Sequence, residues 1–83
     1  MTIPNITETL SDELTQSLQL RYGVMLGSKD LWHVLGFPSA NAFRQAISRG
    51  TLQIPLFEVK NRRGRFALTK DVAEWIASQR FNN

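Results

Sequence analysis

The sequence predicts a mainly α-helical domain carrying one small β-hairpin. Three observations predict it. Apolar residues recur at helical spacing in four separate stretches. The first three stretches each run into a glycine, Gly23, Gly36 and Gly50. Between the third and the fourth, branched and aromatic residues gather in "TLQIPLFEVK" and "RFAL", on either side of "NRRG".

The first stretch opens on Asn5-Ile6-Thr7-Glu8, which reads as a capping box with Asn5 as the cap and Glu8 reaching back. Leu10, Leu14 and Leu18 then draw one apolar stripe, and Gly23 stops the helix. That stripe either packs on the body or forms a dimer contact. The first is favoured, because a small domain needs every apolar face it has.

"GSKDLWHVLGF" gives a short second helix, with Ser28 as its expected cap and Asp30 at its positive end. Leu31, Val34 and Leu35 form its apolar face, and Gly36 ends it. "FPSANAFRQAISRG" gives the third helix. Pro38 precedes it, Ser39 caps it, Phe43, Ala46 and Ile47 face inward, and Gly50 stops it. Two short helices joined by a tight turn containing glycine have the helix-turn-helix layout.

The next segment is expected to be a hairpin, with Asn61 to Gly64 as the turn, Gly64 supplying the positive φ, and Pro55 at a strand start or edge. Thr69 is expected to cap a last helix, "KDVAEWIASQR", whose inner face would be Val72, Trp75 and Ile76. The whole order is that of a winged helix-turn-helix with an extra N-terminal helix. It divides the chain into an acidic arm over 1–23, a body over 24–80 and a tail over 81–83.

Composition sets the outer limits. A chain of 83 residues makes one small domain. It has no cysteine, so a disulfide or a cysteine metal site is excluded. No apolar run approaches the ~18–20 residues of a membrane span, and "MTIPNITETL" lacks the regions of a secretory signal. The expectation is a cytoplasmic protein with no membrane contact.

The formal net charge is +3 and the pI is near 10.0. Residues 1–25 carry Glu8, Asp12 and Glu13 against Arg21 alone. Residues 26–83 carry nine of the ten basic residues against Asp30, Glu58, Asp71 and Glu74. That charge fits a polyanion partner for the body, and it equally fits surface charge kept for solubility.

Two constellations narrow the choice. Place Phe43 at 0° on the third helix; Ile47 then falls at roughly 40° and Ala46 at roughly 300°. Ser48, Asn41 and Gln45 fall opposite, at roughly 140°, 160° and 200°, with Arg44 and Arg49 on the flanks. Asn and Gln pair bidentately with adenine, and Arg with guanine. A merely solvated face mixes Glu with Lys, whereas this one has no carboxylate. Ser39 begins the same helix and belongs to the same DNA-facing set.

The second constellation is "KNRRGR". Lys60, Arg62, Arg63 and Arg65 on one loop suit phosphates or a minor groove. Charge that only guards an edge strand needs one or two lysines.

Other chemistry finds little support. His33 is the only histidine and there is no cysteine, so a zinc site cannot be built, and nothing in the sequence places His33 in a Ser-His-Asp triad. Glu58-Val59-Lys60 matches the Glu-x-Lys of some metal-dependent nucleases, but three-residue matches are common by chance and no partner carboxylate accompanies it. Trp32 and Trp75 read as core or core-edge residues, with stacking on a base as the lesser alternative. No enzymatic activity, metal or cofactor is expected.

"SKDLWHVLGF", "NAFRQAISRGTL", the basic loop and "ALTKDVAEWIASQ", in that order, resemble the excisionase-like and AlpA-like small regulators, winged-helix relatives of MerR-type DNA-binding domains. "GTLQIP" is also similar to small phage-type pyocin-activator regulators. The resemblance covers about residues 25–80, and the acidic arm is not part of it. It implies double-stranded DNA binding by a prophage, plasmid or mobile-element protein. Such a protein acts as a transcription regulator or as an architectural factor steering a recombinase.

By position the resemblance puts Asn41, Arg44, Gln45 and Ser48 against bases, Arg62, Arg63 and Arg65 against phosphates, and Ser28 and Lys29 against the backbone. One module has a small footprint, so a homodimer or a cooperative oligomer on DNA is expected. The alternative is a protein-interaction module of a phage or recombination complex, docking a recombinase or other partner through its N-terminal helix.

Overall fold

A computed structural model describes residues 6–81, with side chains from 9 to 80. The expected Asn5–Glu8 capping box lies outside the described residues. The chain forms α1 (Ile6–Tyr22), β1 (Met25–Leu26), α2 (Ser28–Val34), α3 (Ala40–Arg49), β2 (Ala67–Leu68) and α4 (Thr69–Phe81). It is mainly helical, with one two-stranded antiparallel sheet.

α1 packs along α4. Leu14 and Leu18 are half-buried, and Leu18 joins the core, as expected of a stripe that packs on its own body. α1 stops where Gly23 takes φ 86° and donates its N–H to the Gln19 carbonyl.

The expected inner face of α4 is in contact with the core, with Val72 inside it and Trp75 and Ile76 packed against it, but the most buried positions are centred to one side. Thr69, Val72, Ala73 and Ala77 are fully buried, while Trp75 and Ile76 are only half-buried. That turns the buried face by roughly 80° from the one drawn through the large residues. Small side chains let another backbone come close, and a period count that weighs bulk overlooks them.

Thr69 is the first residue of α4 rather than a cap. Its hydroxyl donates to the Gly23 carbonyl at 2.7 Å, tying the start of α4 to the end of α1.

The sheet joins two segments more than forty residues apart, with Met25 opposite Leu68 and Leu26 opposite Ala67. Leu26 and Ala67 face the core. The expected strand over 51–60 does not form. Leu52 and Ile54 anchor an irregular segment in the core, and Pro55 is exposed. The only pairing there is a bridge between Phe57 and Phe66.

The 57–66 loop turns two residues earlier than expected, although Gly64 does take the expected positive φ. The Arg62 N–H donates to the Val59 carbonyl at 3.0 Å, and Asn61 takes the positive φ of 66° within that turn. Asn tolerates this conformation because its short polar side chain can bond locally.

α2 and α3 form a packed pair. α2 ends in a Schellman motif, with Phe37 N–H on the Trp32 carbonyl and Gly36 N–H on the His33 carbonyl. Gly36 supplies the φ of 82° that this closure needs. α3 starts on Ser39, whose hydroxyl accepts from the Ala42 N–H at 3.1 Å. Replacing Ser39 by alanine should lower stability by about 0.5–2 kcal/mol, read as a drop in melting temperature. An unchanged melting curve would show that the cap carries no weight.

α2 itself is capped by Gly27, with no side-chain cap bond, so the cap expected at Ser28 is absent. The Ser28 hydroxyl is engaged elsewhere. The core gathers Leu26, Leu31, Phe43, Leu52, Ile54, Ala67 and Val72. Among the described residues no helix is long and apolar enough to cross a membrane.

Candidate nucleic-acid interface

The outer surface of α3 divides into two parts. Ala40, Arg44, Ile47 and Ser48 occupy one quadrant, roughly 40° to 140° from Phe43. They form a wall of a groove of about 680 Å³ whose other lining comes from Ser28, Lys29, Trp32, Phe43, Gly64 and Arg65. The groove therefore lies between α3, the start of α2 and the returning limb of the 57–66 loop. Its floor is apolar and its rim carries Lys29, Arg44 and Arg65. None of its lining residues is acidic. No carboxylate among the described residues pairs with any of those three cations.

Asn41, Gln45 and Arg49 continue round the helix at i, i+4 and i+8, and all three are exposed. They make an open ridge pointing away from the body, beside the groove.

The basic loop is split in two. Arg65 lines the α3 groove. Arg62 and Arg63 line a second hollow with Tyr22, Val24, Met25 and Asp30. The Arg62 guanidinium lies 5.5 Å from the centre of the Phe66 ring, which holds it in place through a cation–π contact. Lys60 is exposed at the turn and lines neither hollow.

The remaining expected site residues are Ser39, which is exposed and serves as the α3 cap, and Ser28, which is half-buried. Ser28 Oγ accepts from the Arg65 N–H at 2.9 Å and donates to the Arg65 carbonyl at 3.0 Å. A Cβ added to Gly64, which has φ 85°, would lie 2.6 Å from that hydroxyl oxygen. So Gly64 is needed twice, for its backbone conformation and for the close approach of the loop to Ser28.

A third hollow lies on α4, lined by Asp71, Glu74 and Trp75 with Gln53 and Gln79, and it contains no basic residue. The linings of the first and third hollows thus differ in sign. His33 is exposed, its ring 4.6 Å from that of Trp32. Among the described residues no three His, Cys, Asp or Glu side chains come together as a metal set.

Comparisons with protein-family models, with curated proteins and with solved structures gave no match. The chemistry of the site is therefore read from its own residues.

The apolar floor is the part that sequence reasoning missed. Trp32 is a core-edge residue, as expected, half-buried and packed against the core, and it also lines the groove, four residues after Ser28 and three after Lys29 on the same face of α2. That spacing is the signal that ties the aromatic ring to the basic rim.

Proposed function

We propose that the chain is a sequence-specific double-stranded DNA-binding protein built as a winged helix-turn-helix, without enzymatic activity. α2, the turn and α3 are the helix-turn-helix, and the 57–66 loop is the wing. The carrying observation is the groove between α3 and the loop, with three cations on its rim that no carboxylate among the described residues pairs and no acidic residue in its lining.

α3 is ten residues, about 15 Å long, and enters a major groove about 12 Å wide. Asn41, Gln45 and Arg49 on its ridge meet base edges. One phosphodiester strand follows the groove beside it, between Arg44 with Lys29 on one side and Arg65 on the other. Arg62, Arg63 and Lys60 carry the contact on toward the next strand or the minor groove. Such a protein serves as a transcription regulator or as an excisionase-type architectural factor in the cytoplasm, binding as a dimer or cooperatively.

Ridge and groove give different expected results. Replacing Asn41 or Gln45 by alanine should cost about 1–3 kcal/mol on the selected site and relax the preference at one base pair. Replacing Arg44 should weaken all duplexes alike. The measurement is binding to a selected site and to random duplex, with the site taken from enrichment of a randomised library. Equal losses on both duplexes for Asn41→Ala and Gln45→Ala would overturn the base-reading role.

A second reading rests on Leu20, Val24 and Leu68, which are 91%, 68% and 45% exposed near the end of α1. They favour a protein-interaction surface for a recombinase or similar partner. A pure interaction module leaves random duplex unbound at low salt, whereas the DNA-binding reading requires a shift.

A further inference from the structure

We propose that Ser28 is a positioning residue that latches the returning limb of the loop and thereby fixes Arg65 on the rim of the α3 groove. The inference rests on the DNA-binding reading above. It assigns Ser28 an intramolecular task in place of the direct backbone contact that sequence position implies.

The geometry carries the case. A hydroxyl offers one donor and two acceptor lone pairs. Here the donor goes to the Arg65 carbonyl and one lone pair takes the Arg65 N–H, across 37 residues of chain. Both backbone groups of one residue are satisfied by a single side chain. No other side chain among the described residues bonds the backbone of 63–65.

The loop is otherwise closed only by the Phe57–Phe66 bridge at its base and the Val59–Arg62 turn. Without the latch the stretch from Arg63 to Arg65 has no backbone partner. Gly64 fits the same reading, since any side chain there would push the loop off Ser28. The latch also connects the first turn of α2, which carries Lys29, to the loop that carries Arg65. Two of the three rim cations are thereby held in register, so the ordering of the loop is in place before DNA arrives.

The test uses the full chain and two readouts. In the free protein, amide exchange of Arg65 is compared between wild type, Ser28→Ala and the hydroxyl-keeping Ser28→Thr. On duplex DNA, affinity against salt is measured for wild type, Ser28→Ala, Arg65→Ala and the double variant.

The latch predicts at least tenfold faster Arg65 exchange in Ser28→Ala, with α4 amides unchanged and protection kept in Ser28→Thr. It also predicts that Ser28→Ala and Arg65→Ala each lower affinity about tenfold and reduce the salt slope by about 1, and that the double variant loses no more than either single. Unchanged Arg65 exchange in Ser28→Ala overturns the latch. Losses that multiply in the double variant overturn the positioning role, because Ser28 then acts independently of Arg65. A wild-type chain that binds no duplex overturns the DNA-binding reading and the role of the latch in it. The exchange result decides the latch itself in every case.

Discussion

Replacing Arg62, Arg63 and Arg65 together by alanine is expected to weaken duplex binding about 100-fold or more on every sequence. Charge-assisted hydrogen bonds contribute about 1.5–3 kcal/mol each, and three neighbouring ones sum incompletely. The clearer signature is in salt. Each neutralised phosphate contributes about −0.9 to the slope of log K against log salt, so the triple variant should lose about 2.7 from it. The selected site and random duplex should suffer alike, because phosphates carry no sequence.

The split of the loop refines this expectation. Arg65 shares its groove with Arg44 and Lys29, whereas Arg62 and Arg63 line the second hollow. Arg62→Ala also removes the contact on Phe66, at a stability cost of about 0.5–1 kcal/mol. Arg63→Ala should leave stability untouched and move binding alone. Unchanged affinity in the triple variant would remove the loop from the interface.

The second large effect is on the fold. Phe43→Ala should destabilise the domain by about 3–5 kcal/mol. Phe43 is 4% exposed and belongs to the core cluster. Its ring meets that of Phe37 edge-on at 5.7 Å, so it ties α3 to the turn that precedes it. A domain of this length has about 4–12 kcal/mol in total, so the substitution takes a large share. The melting temperature should fall by about 12 °C or more. Phe43→Leu, which keeps most of the volume, should recover the greater part of it. A drop under about 3 °C for Phe43→Ala would mean that α3 is not held by this ring.

The features that were legible in the sequence are the ones set by neighbouring residues. The glycines that close the first three helices and the Ser39 cap act over three to five residues, and the structure has them where the sequence places them. The polar, acid-free face of α3 is a matter of spacing along one helix, and its residues are exposed.

What was not legible depends on partners far along the chain. Ser28 has the residue type of a cap, but its hydroxyl meets a backbone 37 residues away. β1 and β2 are two residues each, too short to leave a period, and they pair across most of the body. Thr69, Ala73 and Ala77 are buried because another backbone comes close, which no hydropathy pattern records. The groove floor needed the fold as well, since Trp32 and Phe43 stand on different helices that only packing brings together.

The most direct test of the proposed interface is a titration of isotope-labelled protein with duplex DNA at low salt, following backbone amide shifts. The account predicts changes at Asn41, Arg44, Gln45, Ser48 and Arg65, with the amides from Glu74 to Gln79 unmoved. No change at any salt, or changes confined to the acidic face of α4, would contradict it.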